Sequence, residues 1–345
     1  LQIPVSDNAI TITNYGEITG EAMSMGEKSP VALINPQAAG RLAITEAVLN
    51  LISSGVTNLS SIKLSANWMA SPNNLEANSN LFETVRTISQ DICKSWNLTI
   101  PVGKDSLSME TKWMGHKNTS PESLIISAFA PIKEVTKSIT PMMSDDEDLI
   151  LMRINFGSHE MRLGGSVLSQ VIDKDFNECP DIEEISLFPK VYNLICEFIR
   201  NEKIIALHDI SDGGLVTSVT EMMFASNLGV DINFDLAESE LKKILFSEEP
   251  GLVMQMTNKD FLDLKDQLNI INFYKVYPIG KTNNHDQLSI KSKTFKEKID
   301  LNVLMKHWSK VSSEIKKLRD NPNCAEEEQA SYLNRNKIIL HQSFN

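Results

Sequence analysis

Two groups of residues have the types and spacing that site chemistry needs. The first is Glu46 with Asn50, four apart in NPQAAGRLAITEAVLNLIS, together with Asp7 upstream in PVSDNAIT. A spacing of four puts the acid and the amide on one face of a helix whose other positions are apolar. Such oxygens suit a hard cation such as magnesium, which takes a few protein oxygens and completes its shell with water and phosphate oxygens. A solvated helix face or a capping pair would leave the same trace.

The second group lies in LHDISDGGLVTSVTEMMFASNLGVDINF, residues 207–234. Asp209 and Asp212 could ligate a metal, Ser211 could touch a phosphate or ribose, and Gly213 and Gly214 let backbone approach where a Cβ would block it. The helix beginning at Leu215 would then turn its free amides and positive end toward an anion. Aspartate and serine serving only as caps of that helix is the competing reading. His208 reads as a packing or supporting residue, because the sequence names no partner for it.

Other turns carry weaker signals. RLGGS (162–166) precedes a helix and could cradle an anion. PVGKDSLSM (101–109) reads as strand, turn and strand, with Lys104 and Asp105 ion-paired in a hairpin. SEEPG (247–251) reads as readily as an exposed acidic turn as a pair of ligands. In KLSANWM, Asn67 and Trp68 fall in a buried strand, with Trp68 in the core. No P-loop, dinucleotide fingerprint or nucleophile elbow is present, so phosphate would be held on another scaffold.

The elements that must position these groups follow an alternating pattern. SPVALIN reads as a short strand from Pro30, 38–53 as a helix, SIKLSANWM as a strand, FETVRTISQDICKSW as a helix and SLIISAFAPI as a strand. After the acidic, proline-containing TPMMSDDEDL come the strand LILMRIN, the helix SVLSQVI, a helix over 188–201, the strand IIALHDI, a helix over 215–226, the strands VDINF and GLVMQM, and the helix FLDLKDQL. Beyond about Asp300 the pattern is helical, with a charged tail. These elements predict an α/β (α+β) chain: residues 1–137 and 149–300 as two domains, 138–148 as a linker and 301–345 as a helical connector.

Composition narrows the partners. With 345 residues, 41% of them hydrophobic, the chain can bury two cores, and its formal net charge of −12 argues against nucleic acid or an anionic membrane surface. The four cysteines form no CxxC pair, which points to a reduced, cytoplasmic setting with no zinc. The opening LQIPVSDNAIT has no signal-peptide character and reads as the middle of a strand, so the chain is expected to begin inside a larger domain.

GEAMSMGEKSPVALINPQAAGRLAITEAVLN, IKLSANWMA, IPVGKDSLSM, HDISDGGL and LRDNPNCAEEE, in this order, resemble the large, single-chain phosphoribosylformylglycinamidine synthase family, the glutamine-dependent FGAR amidotransferases of purine biosynthesis. The resemblance runs from residue 1 to about residue 328 and covers the second synthetase-like half plus the connector to the glutaminase. It implies an aminoimidazole ribonucleotide synthetase-like pair of domains, a barrel-forming N-terminal one and a C-terminal α/β one. The family converts formylglycinamide ribonucleotide, ATP and glutamine to the amidine, ADP, phosphate and glutamate. In this half it implies an auxiliary adenine nucleotide, ADP or ATP, held through Mg2+ by Asp7, Glu46, Asn50 and Asp209, with Ser6 and Ser211 near the nucleotide. Choosing Asp209 over Asp212 rests on that pattern alone. The glutaminase cysteine and the first half have no counterpart here, so no catalytic residue is assigned and the chain alone is expected to be inactive. The alternative is a self-standing ATP-dependent synthetase of the aminoimidazole ribonucleotide or selenophosphate synthetase type.

Overall fold

A computed structural model describes residues 5–71 and 75–333. Its first unit holds β1 (Asn8–Ile12), β2 (Gly20–Gly26), α1 (Pro36–Ile52), β3 (Lys63–Met69), α2 (Leu75–Thr87), α3 (Cys93–Trp96), β4 (Thr99–Ser106), a small hairpin of β5 (Glu110–Trp113) and β6 (His116–Thr119), and β7 (Ser123–Ile132). One π turn joins α2 to α3. Five strands form an open sheet in the order β1-β2-β7-β3-β4. The expected first strand, SPVALIN, is instead a 3-10 turn at Ser29–Leu33, where Pro30 favours helical dihedrals at the start.

The second unit holds β8 (Leu149–Asn155), α4 (Val167–Val171), α5 (Phe188–Arg200), β9 (Ala206–Ile210), α6 (Gly214–Ser226), β10 (Gly229–Asn233), α7 (Glu238–Phe246), β11 (Gly251–Thr257), α8 (Asn258–Ile271), β12 (Val276–Asn283), β13 (Gln287–Lys291) and β14 (Lys296–Asp300). Its seven-stranded mixed sheet runs β14-β13-β10-β12-β8-β11-β9. The sequence pattern missed α7 and the last three strands. A hairpin of α9 (Leu301–Arg319) and α10 (Pro322–Leu333) closes the described chain. The segment between the units is docked: Ser144 donates its amide to Gln255 Oε1 and accepts from Gln255 Nε2, each at 2.8 Å.

Helix α1 organises the molecule. The Asn35 side chain caps its first turn, accepting from Ala38 N at 3.0 Å, and Pro36 starts it. It is buried almost all round, as expected of a helix with apolar surface on two sides. One side packs on β2 and β7, and the other meets β9 and α5. Tyr192 on α5 donates to Val48 O at 3.2 Å, and Trp96 stacks on Phe188 with ring centroids 4.2 Å apart. A single apolar core therefore runs through the seam between the units. On the sheet face opposite α1, the strict alternation of β2 turns Met23 and Met25 outward beside Phe129, leaving an apolar face uncovered in this chain.

Candidate functional site

The seam also carries the charged residues. Gly26 ends β2 directly over α1, where a Cβ would come within 2.1 Å of Ala43 O, so only glycine lets the strand lie that close. The chain then turns so that Glu27 N donates to Glu46 Oε2 at 2.8 Å. One turn along α1, Asn50 gives its Nδ2 to Met25 O at 3.1 Å, while its Oδ1 is buried without a hydrogen-bond partner. Asn8 clips the start of β1 to this turn by donating to Asn50 O at 2.9 Å and Ser53 Oγ at 2.7 Å. Asp7 is thereby held over the end of α1.

From the other unit, β9 brings His208 and Asp209, both buried, against the same spot. Ligating atoms of Asp7, His208 and Asp209 lie within 4.8 Å of one another. Ser6, Asp7, Asn50, Ser53, His208 and Asp209 line a crevice of about 10 Å³, room for little more than one small particle. His208 Nδ1 is 3.0 Å from Asp209 Oδ1, and Nε2 is 3.2 Å from Glu221 Oε2 and 3.5 Å from Asp7 Oδ2. These are ion-pair distances without hydrogen-bond alignment, so His208 Nε2 and Asp209 Oδ1 both lack a hydrogen bond, while Nδ1 lies 2.9 Å from the Asp209 carbonyl. His208 therefore has the partners that sequence reading did not supply.

Charge is out of balance here. Burial, then repulsion from Asp209 and Glu221, pushes the Asp7 carboxyl up to about 7 against the pull of His208. Burial lifts Glu46 to about 8, with Asp209 and Asp212 adding to it and Lys28 opposing. Asp209 is held below the usual carboxylate range: burial works against its charge, but His208 and a hydrogen bond with Ser211 outweigh it. Burial also resists charge on His208, yet Asp209 and Glu221 raise its pKa well above the ordinary value. Protons or a cation must offset this crowd of carboxylates.

The geometry brings Asp7, Asn50, Asp209 and Ser6 together at one crevice, sets Glu46 one helical turn away, and puts Ser211 in the turn after β9, its carbonyl accepting from Gly214 N at 3.0 Å. Asp212 turns outward and pairs with Lys28 instead. Several other expectations need correction. Neither Asp209 nor Ser211 caps α6, whose N-cap is Gly213 in a left-handed conformation (φ 81°). The Gly213 amide is not free for a ligand, since Glu248 Oε1 accepts from it at 2.8 Å and from Val167 N, at the RLGGS turn, also at 2.8 Å. SEEPG is fully buried rather than exposed: Glu248 pairs with Lys28 at 2.9 Å and Glu249 with Arg162 Nε at 2.6 Å. VGKD is no hairpin, because β4 runs through it parallel to β3, and Lys104 donates to Ser106 Oγ at 2.8 Å and to the Asp105 carbonyl at 3.4 Å rather than pairing with the Asp105 carboxylate. Trp68 is half-buried against the core. Sequence reading missed Lys28 and Glu221, and left Glu248, in SEEPG, undecided between a ligand and an exposed turn.

Residues 1–131 match the FGAR-AT PurM_N-like domain, and residues 149–293 match the AIR synthase related protein, C-terminal domain. The chain belongs to the FGAR amidotransferase family. This synthetase half superposes on Thermotoga maritima PurL complexed with FGAR at a TM-score of 0.66 and 11% identity, covering 87% of this chain and 48% of that one. For the same PurL complexed with ADP the values are 0.62, 10%, 88% and 46%. It also resembles Escherichia coli HypE, a hydrogenase maturation protein, at 0.57 and 16%, covering 81% of this chain and 85% of HypE. The synthetase half thus spans about half the length of the PurL chains. Among the described residues no helix is long and apolar enough to cross a membrane.

Proposed function

We propose that this chain is the part of an ATP- and glutamine-dependent synthase, converting formylglycinamide ribonucleotide to its amidine in the cytoplasm, that holds a magnesium-bound adenine nucleotide as a structural ligand. One observation carries the reading: Asn50 Oδ1 and Asp209 Oδ1 are buried oxygens without a hydrogen bond, the second with only His208 beside it, in residues that line a crevice shared with Asp7. A hard cation takes oxygen donors of this kind, and Asp7, Glu46, Asn50 and Asp209 would hold it. Magnesium there would offset charge between the nucleotide phosphates, with Ser6 and Ser211 beside the nucleotide. His208, charged and pinned by Glu221, serves as a fixed counter-cation that orients Asp209. Drawing its oxygens from both units, the site would also staple residues 1–137 to 149–300 across the 138–148 linker. The ADP complex of PurL supports a nucleotide in this fold. The uncovered face with Met23, Met25 and Phe129 would meet the other synthetase half, and 301–345 would lead to the glutaminase.

A self-standing ATP-dependent synthetase is the second reading, favoured by the match to most of HypE. Denaturing the purified chain and assaying released adenine nucleotide and magnesium separates the two. A stoichiometric, unexchanged nucleotide with no turnover supports the structural site. Absent nucleotide with measurable ATP hydrolysis overturns it.

A further inference from the structure

Three segments from both units converge on Glu248. Its carboxylate accepts from Gly213 N at the head of α6 and from Val167 N, and it pairs with the buried Lys28, which also reaches Asp212. The glycines around it are shaped for this closure. A Cβ on Gly214 (φ 71°) would lie 2.8 Å from Phe246 C and Ser247 O, and one on Gly165 (φ 73°) would lie 2.9 Å from Val31 Cα. Gly214 of the DGG turn thus packs against the chain leading into Glu248, whose carboxylate accepts from the neighbouring Gly213 amide.

We propose that Glu248 is an internal anion and a positioning residue: with Lys28 it fixes the loop carrying Asp209 against the turn that holds Glu46. One path runs from Glu248 through Lys28 to its neighbour Glu27, whose amide binds Glu46. The other runs from Gly213 along its own turn, closed by Gly214 N donating to Ser211 O at 3.0 Å, back to Asp209. The Gly213 amide is thereby closed to a ligand phosphate.

The test uses the 345-residue chain. Glu248→Gln keeps the shape and removes the charge, and titration with magnesium chloride should show binding weakened roughly ten- to hundredfold, as for other residues that orient ligands. Glu248→Ala should melt at a lower temperature, and sodium formate should restore much of the loss. In Lys28→Met, formate should restore nothing, since the carboxylate remains. Magnesium affinity in Glu248→Gln unchanged within about twofold would refute the positioning role. Absence of a formate response in Glu248→Ala, or an unchanged melt in Glu248→Gln should the alanine variant fail to fold, would refute the internal anion. The magnesium arm rests on the proposed function. A wild-type chain that binds no magnesium overturns that function, and the formate and melting arms then decide Glu248 alone.

Discussion

Two groups of carboxylates lie near this seam, one fully buried and one with Asp7 exposed at its rim and Glu46 half-buried, and they differ in how many donors surround them. Glu249 accepts from Arg162 Nε, Nη2 and N, and from the amides of Ser158 and Asp181, while Glu248 has Lys28 and two amides. Asp209, Asp7 and Glu46 share one imidazole, one amide and the more distant charge of Lys28, and leave Asp209 Oδ1 without a hydrogen bond. Burying a carboxylate is costly in either place. Where the chain supplies a full set of donors, the group is part of the scaffold. Where it withholds them, a ligand must supply the compensation.

The largest effect should therefore come from the saturated group, and it should be blind to metal. Glu249→Ala strips Arg162 of its main partner and empties a fully buried position, for an expected loss of about 3–5 kcal/mol. Urea denaturation should give the same loss in magnesium and in EDTA. A loss below about 1 kcal/mol, or one that depends on magnesium, would erase the contrast between the groups.

The unsaturated group should behave in the opposite way. In EDTA, Glu46 and Asp7 titrate late in the folded state, at about 8 and about 7, and His208 keeps its proton above its ordinary value. All three raised pKa values mean that the folded chain binds more protons than the unfolded one between about pH 5 and pH 8, so stability falls as pH rises through that window. Asp209, held low, contributes only in more acidic solution. Magnesium at a hundred times its Kd should add about 2.7 kcal/mol and flatten the pH dependence. Glu46→Gln should flatten it without metal, and Asp209→Asn should remove the magnesium response. A metal-free profile that rises from pH 5 to pH 8 would contradict the charge imbalance itself.

The two groups were also unequally legible in the sequence. Glu46 and Asn50 could be read because a helix repeats locally, and HDISDGG because its polar residues are contiguous. Lys28 and Glu248 could not, since each makes sense only beside the other unit: Lys28 meets Asp212 across 184 positions. An acidic doublet before a proline has the composition of a solvent-exposed turn, and only tertiary packing shows Ser247 to Pro250 to be buried. The same limit applies to β4, whose Gly-Lys-Asp looks like a hairpin. At a sheet edge those polar residues can point to water while the strand continues. The alternating pattern was enough for the two α/β units, whereas the three last strands, mixed in direction and with few buried positions, left too weak a period to find.

The smallest expected effect probes the boundary between the two groups. Glu221 has one oxygen near His208 and receives Trp308 Nε1 on the other at 2.8 Å, so α9 reaches the unsaturated site through a single carboxylate. Trp308→Phe keeps the ring, including much of its edge contact with Phe224, and removes only the donor. Loss of one hydrogen bond to a charged group should cost about 1.5 kcal/mol in EDTA. If Glu221 holds His208 in place for the metal ligands, the cost should grow when magnesium is present, because the bound state then depends on that orientation too. An equal cost with and without magnesium would make Trp308 a packing contact of the helical hairpin and confine the site to β9, α1 and the segment before β1.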